Sequence, residues 1–229
     1  MLVPLTRQTF EQLIPIVATG DQYKYYWGRL SDILKRALIS AVSVLTIVLI
    51  NVLIHDDGDP LFLLVGITAG LYWLWGPVLL ASFRNIEFRK YPYSGLWQGK
   101  VSDVYLTEEV VTQEEKVNKK GELIIVENLE QRINLELGDK TGFTVEIQAP
   151  LRRHHQGISR GQIAVILVMS YQQDLGKIAK YSDAYLPTVN LWVSDYPYLR
   201  RDVFIEVINQ IRSSRKRNKQ RQPPNLKFE

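Results

Sequence analysis

Cysteine is absent from the 229 residues of the chain. This absence excludes disulfides, catalytic thiols and cysteine metal sites. The sequence is also interpreted as lacking a glycine-rich phosphate loop, paired metal-ligand spacing and a nucleophile elbow. It therefore predicts a protein that is not an enzyme and that holds neither a metal nor a cofactor.

Charge is absent from two long apolar runs, which organise the rest of the chain. Ala37–Ile54 has 18 residues and Leu61–Phe83 has 23, and neither contains Asp, Glu, Lys or Arg. A bilayer core needs roughly 20 apolar helical residues, so the runs predict a transmembrane hairpin. Pro77 predicts a kink in the second helix, and Gly66 and Gly70 favour close approach of the two helices. The alternative is a pair of buried core helices, but these usually carry a polar stripe that both runs lack.

Charged residues beside the runs predict the orientation of the hairpin. The link His55–Pro60 contains three aspartates and no lysine or arginine. Basic flanks stay on the side of synthesis, so both termini are expected in the cytoplasm or stroma. The link is interpreted as a solvated acidic loop and not as a metal site. No signal-peptide pattern is recognised, so the first run is expected to remain as an anchor. The basic flanks are Arg29, Lys35, Arg36, Arg84, Arg89 and Lys90.

The segment before the hairpin, residues 1–35, is predicted to lie at the membrane interface. Pro4–Ala18 has the apolar spacing of a short amphipathic helix that Pro15 interrupts. An aromatic cluster follows, and such rings prefer the headgroup region. Its alternative role is contact with a pigment, a lipid or a neighbouring membrane protein. The candidate contact residues are Tyr23, Tyr25, Tyr26 and Trp27.

Residues 85–211 are predicted to form a soluble β-rich α+β domain. Short apolar stretches separated by turn residues indicate strands, and an apolar face after Pro197 indicates a C-terminal helix. A small barrel or sandwich closed by that helix is expected. The predicted strands lie within Gly95–Val117, Glu122–Leu137, Phe143–Ile147, Ile163–Met169 and Leu186–Val193, with a turn at Asn118–Gly121.

Basic residues suggest contact with an acidic surface. Arg152 and Arg153 belong to the stretch Leu151–Gln156, which is interpreted as an exposed loop. This loop is either simply solvated or in contact with an anion, headgroup or acidic partner. The tail, residues 212–229, holds six basic residues between Arg212 and Arg221. A basic segment tethered beside a bilayer gains roughly 1 kcal/mol per cation from anionic lipids. Nucleic acid is not expected, because the interleaved aromatics of single-strand binders are missing. The candidate tail contacts are Arg212, Arg215, Lys216 and Arg217.

Two family resemblances follow from these patterns. A hairpin followed by strands between Leu96 and Val193, and by a helix from about Pro197, is similar to bacterial membrane proteins with a pleckstrin-homology-like domain. Val3–Pro15 and Tyr23–Gly28 resemble small two-span proteins of cyanobacterial and plastid thylakoids. The second resemblance implies an accessory or assembly role around photosystems, in a thylakoid or bacterial inner membrane.

The sequence therefore predicts a non-enzymatic, multi-pass accessory protein that docks on an integral-membrane complex. A membrane-tethered module that binds anionic lipids is the alternative. A tethered enzyme with an unrecognised site is the third hypothesis.

Overall fold

The computed structural model describes residues 1–28, 30–54, 60–117 and 123–221. Within them the protein is α+β, with seven strands, six α-helices and one 3-10 helix. The chain divides into two compact units. A strand unit comprises Met1–Arg7 and Lys90–Tyr198, and a helix unit comprises Gln8–Arg89 and Leu199–Glu229.

The strand unit contains one open antiparallel sheet. Its order is β4-β3-β2-β5-β6-β7, and β1 pairs with β2 beside this path. The strands are β1 Leu2–Leu5, β2 Tyr93–Val117, β3 Leu123–Gly138, β4 Thr144–Pro150, β5 Ile163–Ser170, β6 Lys180–Leu186 and β7 Leu191–Val193.

The long strand β2 joins the two halves of this sheet. Its first part, Tyr93–Lys100, pairs with β5, and its later part, Lys100–Val117, pairs with β3. Two register shifts interrupt the β2–β3 ladder, one of them between Val110 and Thr112. Strand β5 pairs only with the first part of β2, and β4 pairs only with the last part of β3. Beyond these pairings, β2 and β3 continue together as a two-stranded ribbon.

The core of the strand unit draws the two ends of the sheet together. Ile147 of β4 and Val193 of β7, at the two ends of the strand order, belong to one buried cluster, although these strands are not ladder neighbours. The Tyr181 hydroxyl also donates to the Glu146 carbonyl at 2.9 Å. The sheet is therefore strongly curved around its core while its ladder stays open, so side chains and not strand pairing join its ends.

The helix unit contains the two apolar runs. Its helices are α1 Arg7–Leu13, α2 Gly20–Trp27, α3 Leu30–Ile54, α4 Pro60–Gly70, α5 Tyr72–Arg89 and α6 Arg201–Arg221. In the part of the chain that the structure describes, one helix, α3, is long and apolar enough to cross a membrane. The second run contributes another crossing only if α4 and α5 are taken as one bent span.

The second run is broken at Leu71 and not at Pro77. The axes of α4 and α5 differ by 70°, and Pro77 lies inside α5. At the break, the Trp73 backbone N–H donates to Ser40 Oγ at 3.1 Å, and the Trp75 indole N–H donates to the Thr68 carbonyl at 2.9 Å. These side chains replace the missing helical partners, because an unpaired backbone group in an apolar environment costs several kcal/mol.

The N-terminal segment differs from the single amphipathic helix that was predicted. Residues Leu2–Leu5 form a strand, and the following helix ends at Leu13, before Pro15. The stretch Leu186–Val193 is also not one strand, because a turn with Asn190 at φ 51° separates β6 from β7. The predicted turn at Asn118–Gly121 lies outside the described residues.

The C-terminal helix begins at Arg201, and its predicted apolar face is buried. Phe204, Val207 and Ile208 are among the buried residues of the chain. By compactness, however, this helix groups with the helix unit and not with the strands. That this helix closes the sheet stays a prediction.

Replacing a core leucine of the strand unit tests this packing. Leu135→Ala removes a side chain with no exposed surface and is expected to cost about 2–5 kcal/mol of unfolding free energy. Leu129→Ala, on the same strand at 58% exposure, is the matched control and should stay within about 0.5 kcal/mol. Thermal unfolding in detergent, followed by circular dichroism, measures both. Equal shifts in the two variants would contradict the assigned core.

Candidate functional site

The exposed apolar surface of α3 and α4 is the first candidate site. In the most apolar window of α3 only 11% of the residues are buried, and α4 has no buried residue. Soluble proteins rarely expose apolar patches larger than a few hundred Å². The two helices therefore are not core helices of the described structure. Their exposed apolar side chains include Leu34, Leu38, Val42, Leu45, Leu49, Val52, Leu61, Leu64 and Ile67.

Two glycines set the approach of α4 to α3, as the small-residue spacing predicted. A Cβ atom added at Gly70 would lie 3.2 Å from Val44 Cγ2, and one added at Gly66 would lie 3.8 Å from Ile47 Cγ2. Their backbones are thus in direct contact with α3 side chains, an arrangement typical of membrane helix pairs.

The helix α5 has two different faces. One face is buried in the helix unit and includes Ala81, Asn85 and Phe88. The other is apolar and exposed, and it includes Leu79, Leu80, Phe83 and Ile86. A helix with one packed face and one exposed apolar face needs an apolar environment on the open side.

The aromatic residues of α2 have divided roles. A capping box between Thr19 and Gln22 starts the helix, which directs Tyr23 and Trp27 toward α5. The Tyr23 hydroxyl donates to the Leu74 carbonyl at 3.1 Å, and the Trp27 ring meets the Trp73 ring edge to face at 6.0 Å.

The other two predicted aromatic contacts lie farther out. Tyr25 is exposed and Tyr26 is half-buried, and their rings meet edge to face at 5.3 Å. The cluster is therefore partly structural, and Tyr25 is the member that presents most surface to a partner.

A buried polar pair that sequence reasoning missed joins α2 to α5. Gln22 and Asn85 have no exposed surface, and each donates its side-chain N–H to the other's carbonyl at 2.9 Å. Nearby in the helix unit, Arg89 donates to the backbone carbonyls of Glu11 and Ile14 and pairs with the Glu11 carboxylate at 2.8 Å. Arg89, predicted as a membrane flank, thus also fixes the end of α1. No sequence spacing signals the amide pair, because its members are 63 residues apart.

The predicted basic residues are divided between the two units. Arg152 and Arg153 are exposed at the start of a 3-10 helix, Arg153–Gly157, in the strand unit. Arg212 and Arg217 are exposed on α6 in the helix unit. The side chains of Arg215 and Lys216 lie outside the described residues, as does the link His55–Asp59.

One member of the Arg152–Gln156 stretch, His155, is buried and not solvated. It is 4% exposed, and its Nδ1 accepts the backbone N–H of Arg152 at 3.2 Å. Burial lowers the pKa of His155 to about 4, and the neighbouring charges of His154 and Arg152 act in the same direction. His155 is therefore neutral at pH 7 and supports the loop.

The sequence Gly157-Ile158-Ser159-Arg160-Gly161 matches the Gly-x-Ser-x-Gly pattern letter for letter, a match that the expected lack of a nucleophile elbow overlooks. A nucleophile elbow needs a strand before the serine and a helix after it. Here a 3-10 helix ends at Gly157 and strand β5 begins at Ile163. The Arg160 guanidinium pairs with Asp103. The local structure is thus not an elbow.

The ribbon of β2 and β3 is a second exposed surface. Leu106 pairs with Ile133, which is 2% exposed and belongs to the core, and beyond this pair the same face continues into solvent. At its base, Arg132 joins Glu109 at 3.1 Å and Asp195 at 2.9 Å, fixing the ribbon to the segment after β7. Among the described residues, no group of three His, Asp or Glu residues is placed to hold a metal ion.

Family comparison places the chain in one group. A family model described as a family of unknown function, DUF8619, matches residues 3–218. The chain belongs to this family. No curated protein and no solved structure matches the chain at a significant level.

The amide pair of this DUF8619 protein can be tested by a double-mutant cycle. Gln22→Leu leaves the buried Asn85 amide unsatisfied, removes the bond from the Thr19 N–H to the Gln22 carbonyl, and should cost about 1–3 kcal/mol of unfolding free energy. Adding Asn85→Leu should recover the part of the loss that comes from the unsatisfied amide, because both partners of the pair are then apolar, while the loss of the Thr19 cap remains. Thermal unfolding in detergent measures the cycle. Simple additivity of the two single losses would argue against a coupled pair.

The buried histidine predicts a pH dependence of stability. Its pKa is lower in the folded chain, so below pH 6.5 the unfolded chain binds a proton that the folded chain does not. The contribution of His155 to the free energy of unfolding is therefore complete above pH 6.5. It decreases as the pH falls toward 4, by about 1–2 kcal/mol at pH 5. His155→Gln should remove this part of the decline in melting temperature between pH 7 and 5. The exposed neighbour His154 supplies the control, since His154→Gln should retain most of the wild-type slope because burial is the largest cause of the lowered pKa of His155.

Proposed function

We propose that this chain is a non-enzymatic, integral-membrane accessory protein that docks on a membrane-protein complex. The observation that carries the proposal is the exposed apolar surface of α3 and α4. Contact of such a large apolar surface with water is energetically unfavourable. Lipid or other membrane helices are the environments that satisfy such a surface.

The second crossing is proposed to be bent. Helix α3, at 25 residues, is about 37 Å long and exceeds the bilayer core of about 30 Å. Helix α4, at 11 residues, is about 16 Å long and crosses only half of it. Helix α5 then completes the second crossing at an angle to the bilayer normal. Its exposed apolar face lies in lipid, and its charged end, from Arg84, lies at the membrane surface. The basic flanks support a cytoplasmic or stromal location for both termini and the strand unit.

The identity of the client complex stays a prediction. Photosystem assembly in a thylakoid is the specific version, and it depends only on the resemblance of the N-terminal segment. An anionic-lipid module is the second candidate, favoured by the exposed arginines Arg152, Arg153, Arg212 and Arg217. Loss of anionic-vesicle binding after reversal of these four charges, with complex association intact, would favour the lipid module.

A charge placed on the exposed face of α3 tests the membrane proposal. Leu45→Arg should reduce carbonate-resistant membrane integration, because arginine near the bilayer centre costs roughly 2.5–3.5 kcal/mol. Tyr171→Arg, at an equally exposed position of the strand unit, is the control and should integrate normally. Release of the wild-type chain by carbonate would overturn the proposal.

Native gel electrophoresis of gently solubilised membranes measures the association of the chain with a complex. The wild-type chain should migrate with a larger assembly of defined composition, and Leu45→Arg should not. Migration of the wild-type chain as a free species would contradict the docking role.

A further inference from the structure

The inner face of the ribbon carries an apolar strip that nothing in the described strand unit covers. The strip continues the core face of the sheet, since Leu106 lies opposite the buried Ile133. Alternation along β2 and β3, with one bulge after Val110, keeps its members on this face. The members of the strip are Leu106, Val110, Leu123, Ile125 and Leu129, each at least 45% exposed.

Glutamates stand between these apolar residues. Glu108, Glu115 and Glu127 lie on the same face by register and are exposed. Their cross-strand neighbours include neutral amides: Gln131 donates to Glu108 at 3.5 Å and Gln113 donates to Glu127 at 3.0 Å. The register places no lysine or arginine on this face between Leu106 and Gln113 or between Leu123 and Ile133. The strip is thus apolar and anionic at once.

The charge of the strip decides between possible occupants. A second copy laid face to face would bring glutamates against glutamates, which is unfavourable. An anionic bilayer surface would repel the strip for the same reason. A segment with apolar residues between lysines or arginines matches both properties.

We propose that the strip binds a basic amphipathic segment next to a membrane span of the client protein. This inference rests on the proposed function, which places the ribbon in the cytoplasm or stroma beside an integral-membrane complex. On that side, loops near the ends of membrane spans are enriched in lysine and arginine. The ribbon, as a two-stranded structure that is only marginally stable alone, gains an apolar cover from such a partner.

A pair of matched peptides tests the charge preference. The probes are a labelled peptide of alternating leucine and lysine and its twin with glutamate in place of lysine. Fluorescence anisotropy measures their binding to the full chain in maltoside micelles, with empty micelles as background. The lysine peptide should bind about tenfold more tightly than its twin, and salt near 0.5 M should weaken it. Equal affinities would overturn the inference.

Charge reversal on the ribbon makes the test specific to this face. Glu108→Lys with Glu127→Lys should shift the preference toward the glutamate peptide. The control pair Asp174→Lys with Glu206→Lys adds the same charge at exposed positions off the ribbon and should keep the lysine preference. A lysine preference that survives the ribbon reversal would locate binding elsewhere and overturn the inference.

The apolar part of the strip has its own variants. Ile125→Ser with Leu129→Ser, at 65% and 58% exposure, should leave the circular dichroism spectrum unchanged and weaken the lysine peptide about tenfold. Unchanged affinity would show that the apolar strip is not the docking surface.

The two proposals fail separately. If carbonate releases the chain from membranes but the chain still prefers the lysine peptide, the membrane role is overturned and the selectivity of the ribbon stands. A chain that integrates and migrates with a complex but shows no preference overturns the ribbon inference alone.

Discussion

The helix unit depends on satisfying backbone hydrogen bonds where the second apolar run breaks. Ser40 accepts the Trp73 N–H, and the Trp75 indole supplies a donor to Thr68. These bonds let α5 leave the axis of α4 by 70° without stranded polar groups. The turn at Leu71 in turn brings Asn85 to Gln22 and Arg89 to the carbonyls at the end of α1.

In the strand unit, β2 and β3 are longer than the strands β5 and β4 that pair with them. Where β4 and β5 pair with them, β3 and β2 are covered and their apolar residues form the core. Beyond those pairings the same alternation continues, and the apolar residues become an exposed strip among glutamates. One sequence pattern therefore produces a core at one end and an exposed apolar strip at the other.

Several features were predictable because their causes are local. The uncharged runs, the glycine contact of α4 with α3, the strand at Ile163–Met169 and the apolar face of α6 follow from composition and period. The break at Leu71 was not predictable, since its stabilising hydroxyl comes from Ser40 on another helix. His155 was predicted as part of an exposed loop because its burial depends on the surrounding strand unit.

By itself the sequence determined which segments are apolar and which residues beside them are charged, because hydropathy and charge are properties of each residue. It also determined that β-branched and apolar residues after Lys90 form strands. The tertiary structure alone decided that α6 groups with the helices, that Gln22 meets Asn85, and that the strip residues of the ribbon are exposed. These outcomes depend on contacts between residues far apart in the chain, and no local pattern encodes such contacts.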